Sequence, residues 1–181
     1  SLLDINVFGR RAGIAAAEYA LESEFVDLPA HPTAQVEALL SDVITGNGTE
    51  RIATLRRAMQ DTMDLNAQVY RNEETLSQAL SDIRALKERY KNISIQDKGK
   101  RYNTDLLEAI ELGFLLDLAE VTVISALARK ESRGAHARED FQKRDDQNFM
   151  QHTMAYKTGD EISLEYKPVV FTRYEPMERK Y

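Results

Sequence analysis

The densest set of groups able to do chemistry lies in residues 129 to 140, Arg129-Lys130-Glu131-Ser132-Arg133-Gly134-Ala135-His136-Ala137-Arg138-Glu139-Asp140. Seven of the twelve are charged, both signs are interleaved, and the run follows directly on the most apolar segment of the chain. Arg133 and Arg138 can each pair bidentately with a carboxylate. His136 can make a structural hydrogen bond or line a site, and the sequence leaves both open. A Gly and two Ala residues set among paired charges predict a fixed turn whose charges have assigned partners.

The other candidates are plainer. His31, His136 and His152 are the three histidines, and none has the spacing to a second His or to carboxylates that a zinc or di-iron helical site needs. No metal site is expected. His31, close to Pro29 and Pro32, reads as an exposed loop residue and His152 as a structural strand position. Gly46-Asn47-Gly48 lacks the Lys and Ser/Thr of a phosphate loop and reads as a turn. No GxGxxG follows a strand, so no dinucleotide fold is encoded. Met59 and Met63 read as core. The acidic ridge Glu108, Glu111, Asp117 and Glu120 reads as a solvated face. Ser1 is different, because the first turn of a helix presents unpaired N–H groups that favour an anion or a carbonyl oxygen. If the chain continued upstream into a cofactor domain, Ser1 and Leu2 would touch the ligand.

A chain of 181 residues can bury one sizeable core, or one with a small appendage. Its 43% apolar and 30% charged residues are ordinary for a soluble globular protein. A net charge of -6 argues against nucleic-acid binding, which needs a basic face. The absence of Cys excludes disulfides, thiolate chemistry and Cys-ligated zinc or iron–sulfur centres. No apolar run approaches the roughly 18 residues that span a bilayer. The start lacks a signal peptide and an initiating Met and enters helical pattern at once, which suggests a piece of a longer polypeptide.

The elements that must position the charged run are mostly helical. Residues 1 to about 24 are apolar nearly all round, with Ser1 and Asp4 as a capping box and a small-residue seam of Gly9, Gly13, Ala16, Ala17 and Ala20. A short helix is expected from Ala34 to Ile44. Thr49 is expected to open the next, with a stripe of Ile52, Leu55, Met59 and Met63. Asn72 before Glu73 and Glu74 starts another, burying Leu76, Leu80, Ile83, Leu86 and Tyr90. Asp97-Lys98-Gly99-Lys100 reads as a loop. Asn103 or Thr104 begins the most apolar helix, to about Arg129, with Leu106, Leu107, Ile110, Phe114, Leu115, Leu118, Val121 and Leu127 filling the centre of a bundle. Ile162, Leu164 and Tyr166 alternate with polar residues and, with residues 152 to 156 and the Gly159-Asp160 turn, predict a β-hairpin followed by an extended tail. The expected class is mainly α, a helical bundle over residues 1–130 and a C-terminal turn, β-hairpin and tail over residues 131–181.

Three segments together resemble one family: Ser1-Leu2-Leu3-Asp4 with Val7-Phe8-Gly9-Arg10; Asn103-Thr104-Asp105-Leu106-Leu107-Glu108 with Glu111-Leu112; and Glu131-Ser132-Arg133-Gly134-Ala135-His136 with Arg138-Glu139-Asp140 and Arg144-Asp145-Asp146. They resemble the C-terminal part of the flavoprotein subunit of succinate dehydrogenase and its relative fumarate reductase. The strand Leu164 to Val169 and the terminal Tyr181 extend the likeness over essentially the whole chain.

The resemblance implies a helical domain beside FAD-binding and capping domains of the same subunit, which oxidises succinate to fumarate with FAD. It passes electrons to an iron–sulfur subunit and on to quinone, with a membrane anchor subunit as an indirect partner. Such a complex is peripheral on the cytoplasmic side of the inner membrane, and the fragment alone would be soluble. The family's substrate-binding, acid/base and flavin-linking residues all precede Ser1, so no catalytic residue is carried over. The pair matching Ser1 and Leu2 contacts the flavin in the family, and bound FAD is expected in the intact subunit and not in this fragment. The charged run is implied to sit near the flavin domain without taking part in catalysis. Fumarate reductase, L-aspartate oxidase or a stand-alone helical interaction module are the alternative readings.

Overall fold

The computed structural model describes residues 2–177. By its contacts the chain falls into two units, Ser1–Leu39 and Leu40–Tyr181. In the first unit, helix α1 (Leu2–Glu22) carries apolar side chains on every side and buries none of them. Phe8 and Ile14 are exposed, and a Cβ added at Gly9 or Gly13 would meet nothing. Ser1, the expected cap, lies outside the described residues. Helix α2 (Ala34–Thr45) starts close to where the sequence pattern resumes after Pro32 and contributes Val43 to the core.

The second unit is built on α3 (Ile52–Asn66), α4 (Glu73–Tyr90) and α5 (Thr104–Ala128), which pack on one another. Thr49 does not open α3 as expected. The backbone of Glu50 is committed to an extended pairing with the segment after α4, its N–H donating to Asn92 O at 3.1 Å and its carbonyl accepting from Ser94 N–H at 3.2 Å. Arg89 fixes the Glu50 carboxylate with two hydrogen bonds of 2.8 and 2.9 Å, so the helix begins only at Ile52. Helix α4 follows its sequence signal closely. Asn72 accepts from the Thr75 N–H while the Thr75 hydroxyl accepts from the Asn72 N–H, closing a capping box, and Leu76, Ala79, Ile83 and Leu86 are buried.

Helix α5 corrects the expected core. The buried line is Ala109, Leu112, Leu116, Ala119, Glu120, Val123 and Ala126. Leu107, Phe114 and Leu118, assigned to the centre from the sequence, remain 56–62% exposed. The other expected core residues, Leu106, Ile110, Leu115, Val121 and Leu127, are half-buried. The physical reason is that a helix apolar all round carries no periodic signal to choose its inner face. Three alanines on the buried line let α4 and α3 approach closely where larger residues would hold them off. Ala67, Leu76, Ala79, Val123 and Ala126 form one continuous cluster, with Met63, Leu80 and Leu127 against it.

The β structure is small. β1 (Tyr70–Arg71) pairs in parallel with β2 (Ala137–Arg138), a long-range contact that no local pattern announces. After a single turn, α6 (Asp146–Phe149), the hairpin of β3 (Gln151–Thr158) and β4 (Glu161–Pro168) forms in the expected register around Gly159-Asp160. No residue of either strand is fully buried. Residues 169–177 have no regular structure, and Tyr181 lies outside the described residues. The protein is mainly α, a helical bundle with a small β part near the C-terminus.

The choice of face on α5 is open to measurement. Leu112→Ala should cost about 2–5 kcal/mol in denaturant unfolding, while Leu118→Ala should cost well under about 1 kcal/mol. Equal losses would restore the stripe expected from the sequence.

Candidate functional site: a buried charged junction

The charged run begins where α5 ends, and the two helix ends beside it explain its charges. The last carbonyls of α5 and the first N–H groups of α4 lack helical partners and carry opposite partial charges. Arg138 is buried to 1% exposure and spends all five N–H groups. Its Nη1 donates to the carbonyls of Ala126 and Leu127 at 3.0 and 3.1 Å, closing the end of α5. Its Nε and Nη2 grip Asp140 at 2.7 and 2.8 Å, and Nη2 also reaches Glu73 at 2.9 Å. Asp140 in turn accepts from the Glu73 N–H at 2.9 Å and so caps α4. The Phe141 ring lies 5.0 Å beneath the guanidinium.

The turn itself is held by Arg133 and His136, which exchange backbone hydrogen bonds of 2.8 and 3.1 Å around Gly134-Ala135. Gly134 has φ +60°, the left-handed region that a side chain disfavours, at the first central position where tight hairpin turns prefer glycine. The chain then runs beside the start of α4, with the Ala137 N–H on Val69 O and the Glu139 N–H on Arg71 O.

Glu131 is the second centre, with no exposed surface. It accepts from Arg129 at 2.6 Å, from Arg133 at 2.8 and 3.0 Å, and from the Asp145 N–H at 2.8 Å. Burial alone would raise its carboxyl, but Arg133, the Asp145 N–H and Arg129 together hold it below the usual carboxylate range. Arg129 also donates to Phe149 O, Gln151 O and the Thr153 hydroxyl, which ties the hairpin to the end of α5. Arg133 continues through Asp146 to Arg144, which donates to Met177 O in the tail. Both bidentate pairs expected of Arg133 and Arg138 are therefore present, within the run itself.

His136 makes the structural hydrogen bond, and its ring also borders a recess. One ring nitrogen donates to the Arg129 carbonyl at 3.0 Å. The same ring lines an open recess of about 460 Å³ with Arg129, Arg133, Phe149 and His152. Burial, with Arg71, Arg138 and Arg129 nearby, pushes its pKa down against the opposing hydrogen bond to the Arg129 carbonyl, favouring the neutral imidazole. His152 is exposed on β3, and His31 is exposed in the first unit.

A further charged cluster was misjudged in the sequence. Glu120, expected on a solvated ridge, is 3% exposed and is held by Arg84 at 2.8 Å and Lys87 at 2.6 Å. Asp117 joins Lys87 at 2.8 Å and Lys157 of β3. Glu108 and Glu111 of the same ridge are exposed as expected. Acidic spacing alone cannot show which carboxylates face cations, since Arg84 and Lys87 come from another helix and Lys157 from a strand 40 residues away. Among the described residues no His, Asp and Glu set converges as a metal site requires, and no helix is long and apolar enough to cross a membrane. Of the expected cofactor contacts, Leu2 is 75% exposed at the start of α1, and Ser1 lies outside the described residues.

Residues 56–181 match the family described as fumarate reductase flavoprotein C-terminus. The chain is 42% identical over its whole length to the fumarate reductase flavoprotein subunit of Mycobacterium tuberculosis, covering 32% of that protein. It is 44% identical to the succinate dehydrogenase flavoprotein subunit of Rickettsia bellii, over 95% of this chain and 29% of the relative. The E. coli quinol fumarate reductase structure superposes with a TM-score of 0.88 at 40% identity, over 95% of this chain and 30% of that one. The chain belongs to the succinate dehydrogenase and fumarate reductase flavoprotein family and corresponds to the C-terminal domain of its subunits. It spans about a third of the length of the relatives it matches.

Two outcomes test the junction. Arg138→Lys leaves at most three N–H groups for the five acceptor contacts of a buried side chain and should cost about 2–4 kcal/mol in equilibrium unfolding. Asp140 has its carboxyl lowered to about 2 by Arg138, against the burial that opposes it. A depressed carboxylate pKa adds stability above the unfolded value near 3.9 that disappears as pH falls toward 2. The wild-type denaturant midpoint should therefore drop between about pH 4 and pH 2, and Asp140→Asn should flatten that part of the profile.

Proposed function

We propose that this chain is the C-terminal helical domain of a flavoprotein subunit that, when intact, carries FAD, oxidises succinate to fumarate and passes electrons through an iron–sulfur subunit to quinone. What carries the reading is the whole-length identity above 40% to subunits of this family. On this reading the substrate-handling residues belong to the flavin-binding and capping domains, and the assembled complex works at the membrane surface on the cytoplasmic side. Fumarate reduction is the same chemistry run backwards, and direction follows from the potentials of cofactor and quinone.

The start of α1 fits a flavin. Its first-turn N–H groups have no helical acceptors, and Leu2 and Leu3 at that end are exposed. FAD supplies hydride acceptance when bound. The contribution of Ser1 and Leu2 is to aim those N–H groups and the positive helix end at a flavin carbonyl, where reduction builds negative charge. The remaining residues act by support, as the junction joins the ends of α4 and α5 and fixes the hairpin against them.

The intact subunit, purified with its iron–sulfur partner, should reduce an artificial acceptor with succinate and oxidise a reduced dye with fumarate. Activity with L-aspartate but not succinate would replace the reading by aspartate oxidase. Arg133→Ala in that subunit should lower flavin content per polypeptide, and undiminished flavin and stability would remove the junction's supporting role.

A further inference from the structure

The turn that leaves α2, Gly46-Asn47-Gly48, is pinned on both sides of one residue that is not. Gly46 donates its N–H to Asp42 O at 3.0 Å, and its carbonyl accepts from Lys98 Nζ at 2.9 Å and from the Ser94 hydroxyl at 3.3 Å. On the other side the Thr49 hydroxyl accepts from the Asn92 amide at 3.1 Å. Gly48 lies so close to the segment after α4 that an added Cβ would fall 1.9 Å from the Asn92 carbonyl oxygen, and only glycine allows that approach. Between these anchors Asn47 is exposed, and among the described residues neither its side chain nor the Gly48 N–H has a hydrogen-bond partner. Of the seven asparagines in the chain it alone is followed by glycine.

We propose that Asn47 is a site of spontaneous deamidation, at which the side-chain amide becomes a carboxylate and the main chain can be rerouted through it. The Gly48 nitrogen, its proton taken by hydroxide, attacks the side-chain carbonyl carbon of Asn47. A new C–N bond forms, the bond to the amide nitrogen breaks, and ammonia leaves with a proton from water, closing a five-membered succinimide. Water then opens the ring. Addition at the side-chain carbonyl leaves aspartate, and addition at the main-chain carbonyl leaves isoaspartate. One water is consumed and one ammonia released, with no oxidant or cofactor needed. A Cβ on the following residue would screen the attacking nitrogen, and a bonded N–H would first have to be freed, but Gly48 carries neither obstacle. Asn72, Asn92, Asn103 and Asn148 precede residues with side chains, and their own amides are engaged in hydrogen bonds. Isoaspartate puts one extra carbon into the main chain between two pinned points, so the contacts with Lys98, Ser94 or Asn92 must give way. The site is independent of the catalytic function proposed above.

The test ages the full-length protein in mildly alkaline buffer and maps its peptides by mass spectrometry, with an isoaspartyl methyltransferase as the probe for isoaspartate. The mass gain of an amide turned to an acid should appear at Asn47 before any other asparagine, and faster as pH rises. The thermal midpoint should fall as isoaspartate accumulates. Asn47→Gln keeps an exposed amide but would have to close a six-membered ring, so it should start from the wild-type midpoint and lose both the isoaspartate and the fall. An Asn47 that stays intact in the folded protein, while a peptide of residues 42–52 deamidates, would overturn the inference by showing that the fold withholds the attack. Earlier reaction at another asparagine would overturn it as well.

Discussion

A guanidinium without access to solvent is tolerable only when every N–H finds an acceptor, and Arg138 meets that demand from three directions. It takes two carbonyls from the end of α5, a carboxylate from the turn just after its own strand and another from the start of α4. Because the same Asp140 also caps α4, one ion pair satisfies the orphan groups of two antiparallel helix ends. The parallel pairing of β1 with β2 then places Arg138 within reach of both ends, and Glu131 and Arg129 carry the constraint onward to the hairpin. The order of dependence runs from the helix ends to the charged run and from there to everything C-terminal of it.

Much of this was legible before any coordinates. Caps written in side chains announced themselves, as Asn72 and Asn103 did, because the capping group sits within three residues of what it caps. The hairpin could be read from strict alternation. What stayed hidden depends on partners distant in sequence. Glu50 pairs with Asn92 and Ser94, which delays α3, and Glu120 becomes a core residue only because Arg84 and Lys87 face it from α4. The inner face of α5 was hidden for a different reason, since small alanines decide it and hydrophobicity does not rank them above Leu107 or Phe114. The charged run was recognised as a fixed turn, but that Arg138 would be wholly buried and Arg133 partly open could not be told from two arginines five residues apart.

The domain divides its polar groups between two tasks. Arg138, Glu131 and Glu120 are spent inward, each with its polar atoms engaged by groups of this chain. The apolar side chains left outside, on α1 and on the outer face of α5, are those a larger subunit would be expected to cover. A largely apolar core that also holds three buried charges, beside exposed hydrocarbon on α1 and α5, suits a part that sits against other protein.

The β3–β4 ribbon has sixteen residues and not one fully buried side chain, and polar links fasten it at Arg129 and at Lys157. Its two strands therefore share stability with each other far more than with the bundle, the condition under which a segment opens locally while α3, α4 and α5 stay folded. The turn at Gly159-Asp160 lies beyond both of these fastenings, so relatives should differ most where this hairpin turns and least where Arg129 receives it.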